Sequence, residues 1–589
     1  MSNDRSSMKL WTPVVYLAGP IPAALIAFGV YWITLARHGD LGNGPELATA
    51  VSQFGVPHPS GFPLYMLGAG VFVRVIPFGS MIFKTALFSA ATAAVAVAFV
   101  HMAAFSLLRR RWAAMLVALL FAFSDAVWSS ATVTEVHALH LMLSAGMLAA
   151  LLRGIRSGDA GVRQRSLNWA ALCFGLSLTN HLLTLTWLPV MIIGMSMLRD
   201  RGRGWTGLRV PVMTAVVPLA LYAYLPIAAS RDPMMNWGDV RSWGHFVEHV
   251  SARSVWSLIG APTWSDRLHA LVEYGGWPEE DVRAGYLLSQ FSVAILWLAP
   301  LGIVVMARRC RSRLVLLGVA YSVPVVWTIG AGIEDPGSHY ATSHMIVALW
   351  IGTGARYVGH LAALAARRLL QERRGRRRLR GLVEVGALAL PAMAMAGNFR
   401  VNDLSAVRTM EPLGQAIIER PARDAVLILS GRQWAFPACY AQQVERRRTD
   451  VVLLLEPWFR DPNFRLIRRE QRRGITVREP ECHHRPDDVA NVAHGWCRIH
   501  QVIWDNYARR RVYVVGPAAE MLAREEAITS KLPRFRRIVP SLPMVEFIPP
   551  EPGVEPPVAA APPVLDVVRV RRTGTGDGHG HGHGHEHKH

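Results

Sequence analysis

The sequence predicts an α-helical polytopic membrane protein that ends in a smaller, external α/β domain. Three observations predict it. The 589 residues are 51% hydrophobic and only 18% charged, with mean hydropathy +0.23; a soluble protein of this length carries about a quarter charged residues. Apolar runs of roughly 18 residues or more, enough to cross a bilayer core, recur through the first 400 positions and then stop. Beyond them, short β-type runs alternate with helical stretches.

About eleven spans are expected, near 14–36, 80–106, 112–130, 136–152, 167–180, 182–198, 208–229, 285–306, 314–332, 341–363 and 381–398. Arg5 and Lys9 precede the first, and no small-residue cleavage pattern follows it, so it reads as a retained span. The net charge of +21 reports topology. Arginines cluster between apolar runs, at Arg109 to Arg111, Arg153 to Arg165, Arg199 to Arg203, Arg308 to Arg313 and Arg367 to Arg380. All fall on one side if the N-terminus is cytoplasmic. They are not interleaved with aromatics as in a nucleic-acid-binding stripe, so no nucleic-acid partner is expected. An odd number of spans then puts the C-terminal part outside, in the periplasm if the membrane is a Gram-negative inner membrane. The expected domains are 1–398 in the membrane, 399–548 as the external α/β domain, and 549–589 as a Pro-rich linker and disordered His-rich tail.

The same bookkeeping gathers acids and amides on the outer side. They are Asp40, Glu46 and His58 in the first loop, the stretch 125–135, Asn180 and His181, the long loop 230–284, and GIEDPGSHY at 332–340. Ionisable groups at a bilayer are costly and tend to mark function. Bland readings stand beside this one. Glu46 suits the first turn of a helix beginning at LATAVSQF, and His58, stiffened between Pro57 and Pro59, suits a bond to a neighbouring carbonyl as well as to a substrate.

Four stretches then carry a resemblance. GNGPELATAVSQFGVPHPSGFPLY at 42–65 resembles the opening signature of the transmembrane protein O-mannosyltransferase family, an acid-x-Gly-Glu-Leu segment followed by Gly-Ile-x-His-Pro-Pro-Gly-Tyr-Pro-Leu-Tyr. FSDAVWSSATVTEVHALH at 123–140, GLSLTNHLLT at 175–184 and the Tyr-Leu-Pro and Asn-Trp-Gly parts of 224–256 are similar to its later segments, in order. The resemblance implies a C-type glycosyltransferase (GT-C) fold and transfer of mannose or a related sugar from a polyprenyl-phosphate carrier to Ser or Thr of exported proteins, on the outer face. One departure stands out. Asn43 occupies the position of the family's first acid, and Pro45 that of its glycine. Asparagine is no base at neutral pH, which leaves Glu46 as base, or Asp40 in its place, or an altered activity.

Such chemistry needs a base for the hydroxyl, groups that meet the leaving phosphate, and a positioned sugar. Glu46 and Asp40 are the expected catalytic acids. His58, Glu135, His137, Asn180, His181, Asn236 and Trp237 are the expected substrate contacts. Arg231, Arg241 and Arg253 lie outside against the topology trend and are the expected phosphate clamp, since guanidinium binds phosphate bidentately. No Asp-x-Asp pair appears in the outer loops, so neither a metal nor a cofactor is expected; the lipid-linked sugar is a substrate. Membrane lipids and exported acceptor proteins are the expected partners.

In the C-terminal part, AVLILS, DVVLLLE and RVYVVG read as strands and PAAEMLAREEAI as a helix. In an oxidising compartment Cys482 and Cys497 read as a disulfide in preference to an irregular zinc site, with Cys439 left over. Two rival classes are a lipid-linked sugar transporter, which would carry internal repeats, and a catalytically inactive scaffold.

Overall fold

The computed structural model describes residues 19–199, 207–253, 262–275, 287–331, 336–369, 373–460, 465–478, 491–524, 535–539 and 542–547. The chain forms two compact units, one of residues 1–414 with 439–445, the other of 415–438 with 446–589.

The first unit is helical. Its central pair is Met81–Leu108 and His137–Arg156, which run parallel to each other. At one end the Ser89 hydroxyl accepts the Glu135 N–H at 3.1 Å. At the other, the Arg156 guanidinium lies 5.5 Å from the centre of the Phe105 ring. The sixteen residues from Ser89 to Phe105 rise about 24 Å, close to a hydrocarbon core of about 30 Å. Glu135 and Arg156 thus lie at opposite ends of the pair.

Among the described residues four helices are long and apolar enough to cross a membrane: Met81–Leu108, His137–Arg156, Arg209–Ser230 and Arg311–Ala331. The pair Arg111–Ala122 and Asp125–Thr132, bent by 63°, passes the same test only if taken together, as a broken span or a re-entrant loop. This differs from the uniform series of eleven. Every expected segment is largely helical, but several are too short, broken or polar to qualify; Pro20–Thr34 and Leu182–Leu198, for example, are shorter apolar helices. The bend is stabilised by neighbouring side chains, because backbone groups freed inside a membrane need partners. The Tyr31 hydroxyl donates to the Ala122 carbonyl at 2.8 Å, the Asn398 amide to the Phe123 carbonyl at 2.8 Å, and the Gln290 carbonyl accepts the Ala126 N–H at 2.8 Å. Outward, Val210, Val212, Met213, Val216, Val217 and Ile227 expose an apolar face on the weakly buried Arg209–Ser230 segment, as a lipid-facing helix does.

The first outer loop is itself structured. It holds the helices Gly44–Gln53 and Pro63–Val75, each with a proline in its first turn, where the missing N–H costs nothing.

The second unit carries a five-stranded sheet in the order β2-β1-β3-β5-β4. β1 (Val426–Leu429), β2 (Val452–Leu455) and β3 (Val512–Val515) are parallel and buried along their whole length, which is why they read as unbroken apolar runs. β4 (Phe535–Val539) and β5 (Leu542–Phe547) form an antiparallel hairpin on β3 that the sequence reading does not anticipate. Residues 549–589 and Cys482 lie outside the described residues, so the tail and the Cys482 to Cys497 pairing do too.

Candidate active site in the first outer loop

Glu46 sits in the first turn of Gly44–Gln53 and is fully buried. Both of its oxygens meet one residue. Oε1 accepts the His58 backbone N–H at 2.8 Å, and Oε2 lies 2.7 Å from His58 Nδ1. Pro57 and Pro59 stiffen the backbone that presents His58, and its side chain remains about a quarter exposed, at 27%. A buried carboxylate therefore orients a partly exposed imidazole, whose Nε2 lies on the ring edge away from the acid.

From His58 a chain of ring contacts leads inward. His58 meets Phe62 edge-on at 5.0 Å, and Phe62 stacks on His181 at 5.9 Å. His181 caps the 3-10 turn Leu182–Trp187, its Nδ1 accepting the Leu183 N–H at 3.1 Å. It lies 4.7 Å from the His137 ring, and Glu135 Oε1 lies 3.9 Å from His137 Nε2. Asn180 donates to the Val136 carbonyl at 3.1 Å while its own buried carbonyl has no partner among the described residues. Glu46, His58, Glu135, His137, Asn180 and His181, drawn from three sequence segments, are thus assembled in one place.

Asp40 lies in the turn before Gly44–Gln53. Its Oδ2 accepts the Gly42 N–H at 3.2 Å, and its buried Oδ1 has no partner among the described residues. Burial pushes its carboxyl above the ordinary range, opposed by the Gly42 N–H. A Cβ on Gly44 would stand 2.6 Å from Asp40 Oδ1 and 3.5 Å from the Thr134 side chain. Asp40 is therefore packed close to the strand of chain that carries Glu135. Asn43 supplies the cap position of the helix, with no side-chain cap bond.

The 225–250 segment docks on this loop. Val56 pairs with Asn236 in an isolated parallel bridge, and the Trp237 N–H donates to the Val56 carbonyl at 3.0 Å. Asn236 is buried, its amide on Asp239 at 3.2 Å. The expected arginines divide. Arg231 donates to the Phe54 carbonyl at 3.0 Å; Arg241 is held by Asp232 and, at 2.9 Å, by Asp239; Arg253 is exposed.

Two histidines escaped sequence reasoning. His339, in the first turn of Gly337–Leu369, lies 4.9 Å from His137 and 5.7 Å from His181, ring to ring. Its segment, GIEDPGSHY, is on the expected outer face, and that was the available signal. His249 is buried on Trp243–Val250 beside Gly61 and Gly238. Burial pushes its imidazole down to about 3, helped by the nearby His58 and opposed by the Pro57 carbonyl.

Residues 43–203 match the Protein O-mannosyl-transferase TMEM260 N-terminal domain. This stretch is similar to that domain. Over 452 residues the chain is 23% identical to Protein O-mannosyl-transferase TMEM260 of Mus musculus, covering 74% of this chain and 62% of the mouse protein. It therefore spans less than two thirds of that relative's length. A Dictyostelium discoideum protein of the same name is 27% identical over 121 residues, 20% of this chain and 15% of that one. Among solved structures, ArnT from Cupriavidus metallidurans bound to undecaprenyl phosphate superposes with a TM-score of 0.53 at 12% identity, over 89% of this chain and 97% of ArnT. The chain thus shares the fold of ArnT. Three of the four TMEM260-like segments, those at 42–65, 123–140 and 175–184, fall in or at the edge of the matching stretch, and they are the ones that build the Glu46 site.

Proposed function

We propose that this protein is a membrane glycosyltransferase that moves mannose or a related sugar from a polyprenyl-phosphate carrier to Ser or Thr hydroxyls of exported proteins. The observation that carries the reading is the Glu46–His58 pair. It is a buried acid and a partly exposed imidazole, built from the segment that most resembles the O-mannosyltransferases.

In this reading His58 Nε2 takes the proton of the acceptor hydroxyl as its oxygen attacks the anomeric carbon. Glu46 fixes the ring through Nδ1 and balances the imidazolium that forms, the logic of an acid-oriented histidine base. The sugar–phosphate bond breaks and polyprenyl phosphate leaves. Asp40 is the second candidate for the proton. Arg253, and the donors Arg231 keeps beyond the Phe54 bond, meet the phosphate; Arg241 is already neutralised by two acids. Asn180, Asn236 and Trp237 supply the polar and aromatic groups that position a sugar.

The same proposal includes eleven spans in an inner membrane, a cytoplasmic N-terminus, and the α/β unit on the outer side with the site. It needs no resident metal or cofactor for the transfer step. Transporter and scaffold readings are disfavoured by the family match and by the presence of the assembled pair.

The test is transfer of labelled mannose from polyprenyl-phosphate mannose to exported protein by the intact chain, compared with Glu46→Gln, His58→Gln and Asp40→Asn. Loss in the first two with Asp40→Asn active supports the pair. Loss only with Asp40→Asn would move the base to Asp40, and no transfer by the intact chain would overturn the reading. A reporter fused after residue 405 checks the orientation, and cytoplasmic signal would reverse it.

A further inference from the structure

The deepest part of the site is made of imidazoles. His137 opens one long helix, His181 caps a 3-10 turn, and His339 lies in the first turn of another long helix. One ring nitrogen from each lies within 4.8 Å of the other two. Their ring centres are 4.7, 4.9 and 5.7 Å apart. A tetrahedral ion bound at about 2.0–2.1 Å holds its nitrogens about 3.4 Å apart and its imidazole centres about 5 Å apart. The ring spacing already matches. Bringing the nitrogens in takes a movement of about 1 Å or less per ring.

We propose that His137, His181 and His339 form a binding site for a divalent transition-metal ion of the zinc class, with Glu135 as the fourth ligand. Neutral imidazole suits zinc and its neighbours in the first transition row, whereas magnesium and calcium prefer all-oxygen cages. Glu135 Oε1, 3.9 Å from His137 Nε2, is the nearby acid that supplies charge and an oxygen ligand. The rings are held from behind, as ligands usually are. Phe62 stacks on His181, and the Trp327 ring runs nearly parallel to His339 at 6.3 Å.

One local bond opposes loading. His181 Nδ1 accepts the Leu183 N–H, so in the neutral ring the proton is on Nε2. Binding through Nε2 shifts that proton to Nδ1 and gives up the Leu183 bond. A single neutral hydrogen bond is small against three metal–imidazole bonds. No net proton is released from a neutral ring. The inference stands apart from sugar transfer, because it concerns metal occupancy alone.

The chain also ends in HGHGHGHEHKH, which takes divalent ions by composition, so total metal content does not decide the matter. The discriminating probe is Co2+ added to the full-length protein in detergent. The buried site is expected to give the intense visible absorption of four-coordinate Co2+ at one equivalent, bleached by Zn2+. The Gly-His run gives only the weak six-coordinate spectrum. The four-coordinate signal is expected to vanish in His181→Ala and His339→Ala and to shift in Glu135→Gln. Zn2+ should also raise the melting temperature of the intact protein and not that of a His339→Asn variant that elutes as a folded species. A purely six-coordinate spectrum from the folded intact protein would overturn the proposal. So would a four-coordinate signal that survives in both alanine variants.

Discussion

Glu46 and Glu546 are both acids buried to within a few per cent, one in the helical unit and one in the α/β unit, and their partners differ in kind. Glu46 meets an imidazole and a backbone N–H, both from His58. Glu546 meets two guanidinium groups and a phenol, from Arg511, Arg536 and Tyr513. Burial alone would push Glu546 up, but the bonds from Arg511, Arg536 and Tyr513 outweigh it, and its carboxyl stays below the ordinary range. Arginine does not give up its proton, so that site is locked in one state and serves the sheet. An imidazole can accept and return a proton, which a guanidinium does not do. Burial of an acid does not mark function; the proton chemistry of its partner does.

The sharpest way to break this contrast is to neutralise each acid in turn. Glu46→Gln is expected to lower the turnover of sugar transfer by about 10²- to 10⁴-fold, the range for a lost acid–base group, with the protein still folded by gel filtration. Glu546→Gln is expected to leave turnover per folded molecule unchanged and to cost about 2–3 kcal/mol of stability, because Arg511 and Arg536 lose their counter-charge. Urea unfolding followed by proteolysis of the α/β unit measures it. If the two variants exchanged phenotypes, the division between working and structural acids would fail.

These two residues also mark what the sequence makes legible. Glu46 is visible because an acid, a His-Pro step and a turn follow one apolar run, and because helices on either side must put that loop at a membrane surface. β1, β2 and β3 are visible because parallel strands buried on both faces need unbroken apolar runs. The β4–β5 hairpin is not. In FRRIV and LPMVEF, arginine, proline and the buried Glu546 obscure the alternation of an edge hairpin, and only the three-dimensional pairing of Glu546 with Arg511 and Arg536 explains an acid there. His339 is hidden for a different reason. Its nearest imidazole, His137, is 202 positions away, and no local spacing encodes a cluster closed by tertiary packing. The bend between Ala122 and Asp125 is likewise set by Tyr31, Gln290 and Asn398, all remote in sequence.

A smaller effect sharpens the comparison through pH. His249 is buried and its imidazole is held down to about 3, against about 6.5 in the unfolded chain. Below pH 6.5 the unfolded state binds a proton that the folded state refuses. Its contribution is fully present above that pH and is lost as pH falls towards 3. Lowering the pH from 7 to 5 should cost on the order of 1–2 kcal/mol through this group, and His249→Phe should remove that slope. A melting curve equally steep in pH for both proteins would mean that His249 is hydrated.

The least effect is expected in the α/β unit, at Asp450. Arg448 holds this carboxylate with two bonds of 2.9 Å, from Nε and Nη2, and also donates to the carbonyls of Pro421 and Ala422 at 2.9 and 3.0 Å. The Arg448 bonds, opposed by partial burial and aided by the Asp424 N–H, hold Asp450 down at about 2. The sign is opposite in form to a group raised by its partner. The stabilisation is present above the unfolded value near 3.9 and is lost as pH falls through about 2. Because both side chains are partly exposed, the pair is screened, and Arg448→Ala should cost about 1 kcal/mol, mostly through the carbonyls it leaves without a donor. Asp450→Asn should cost less than Arg448→Ala at pH 7 and almost nothing near pH 2, where Arg448→Ala still loses its carbonyl bonds. If Asp450→Asn proved the more damaging, the charge would outweigh the carbonyl bonds. The α/β unit would then owe its stability to ion pairing more than to the arginine's bracing of the 419–422 turn.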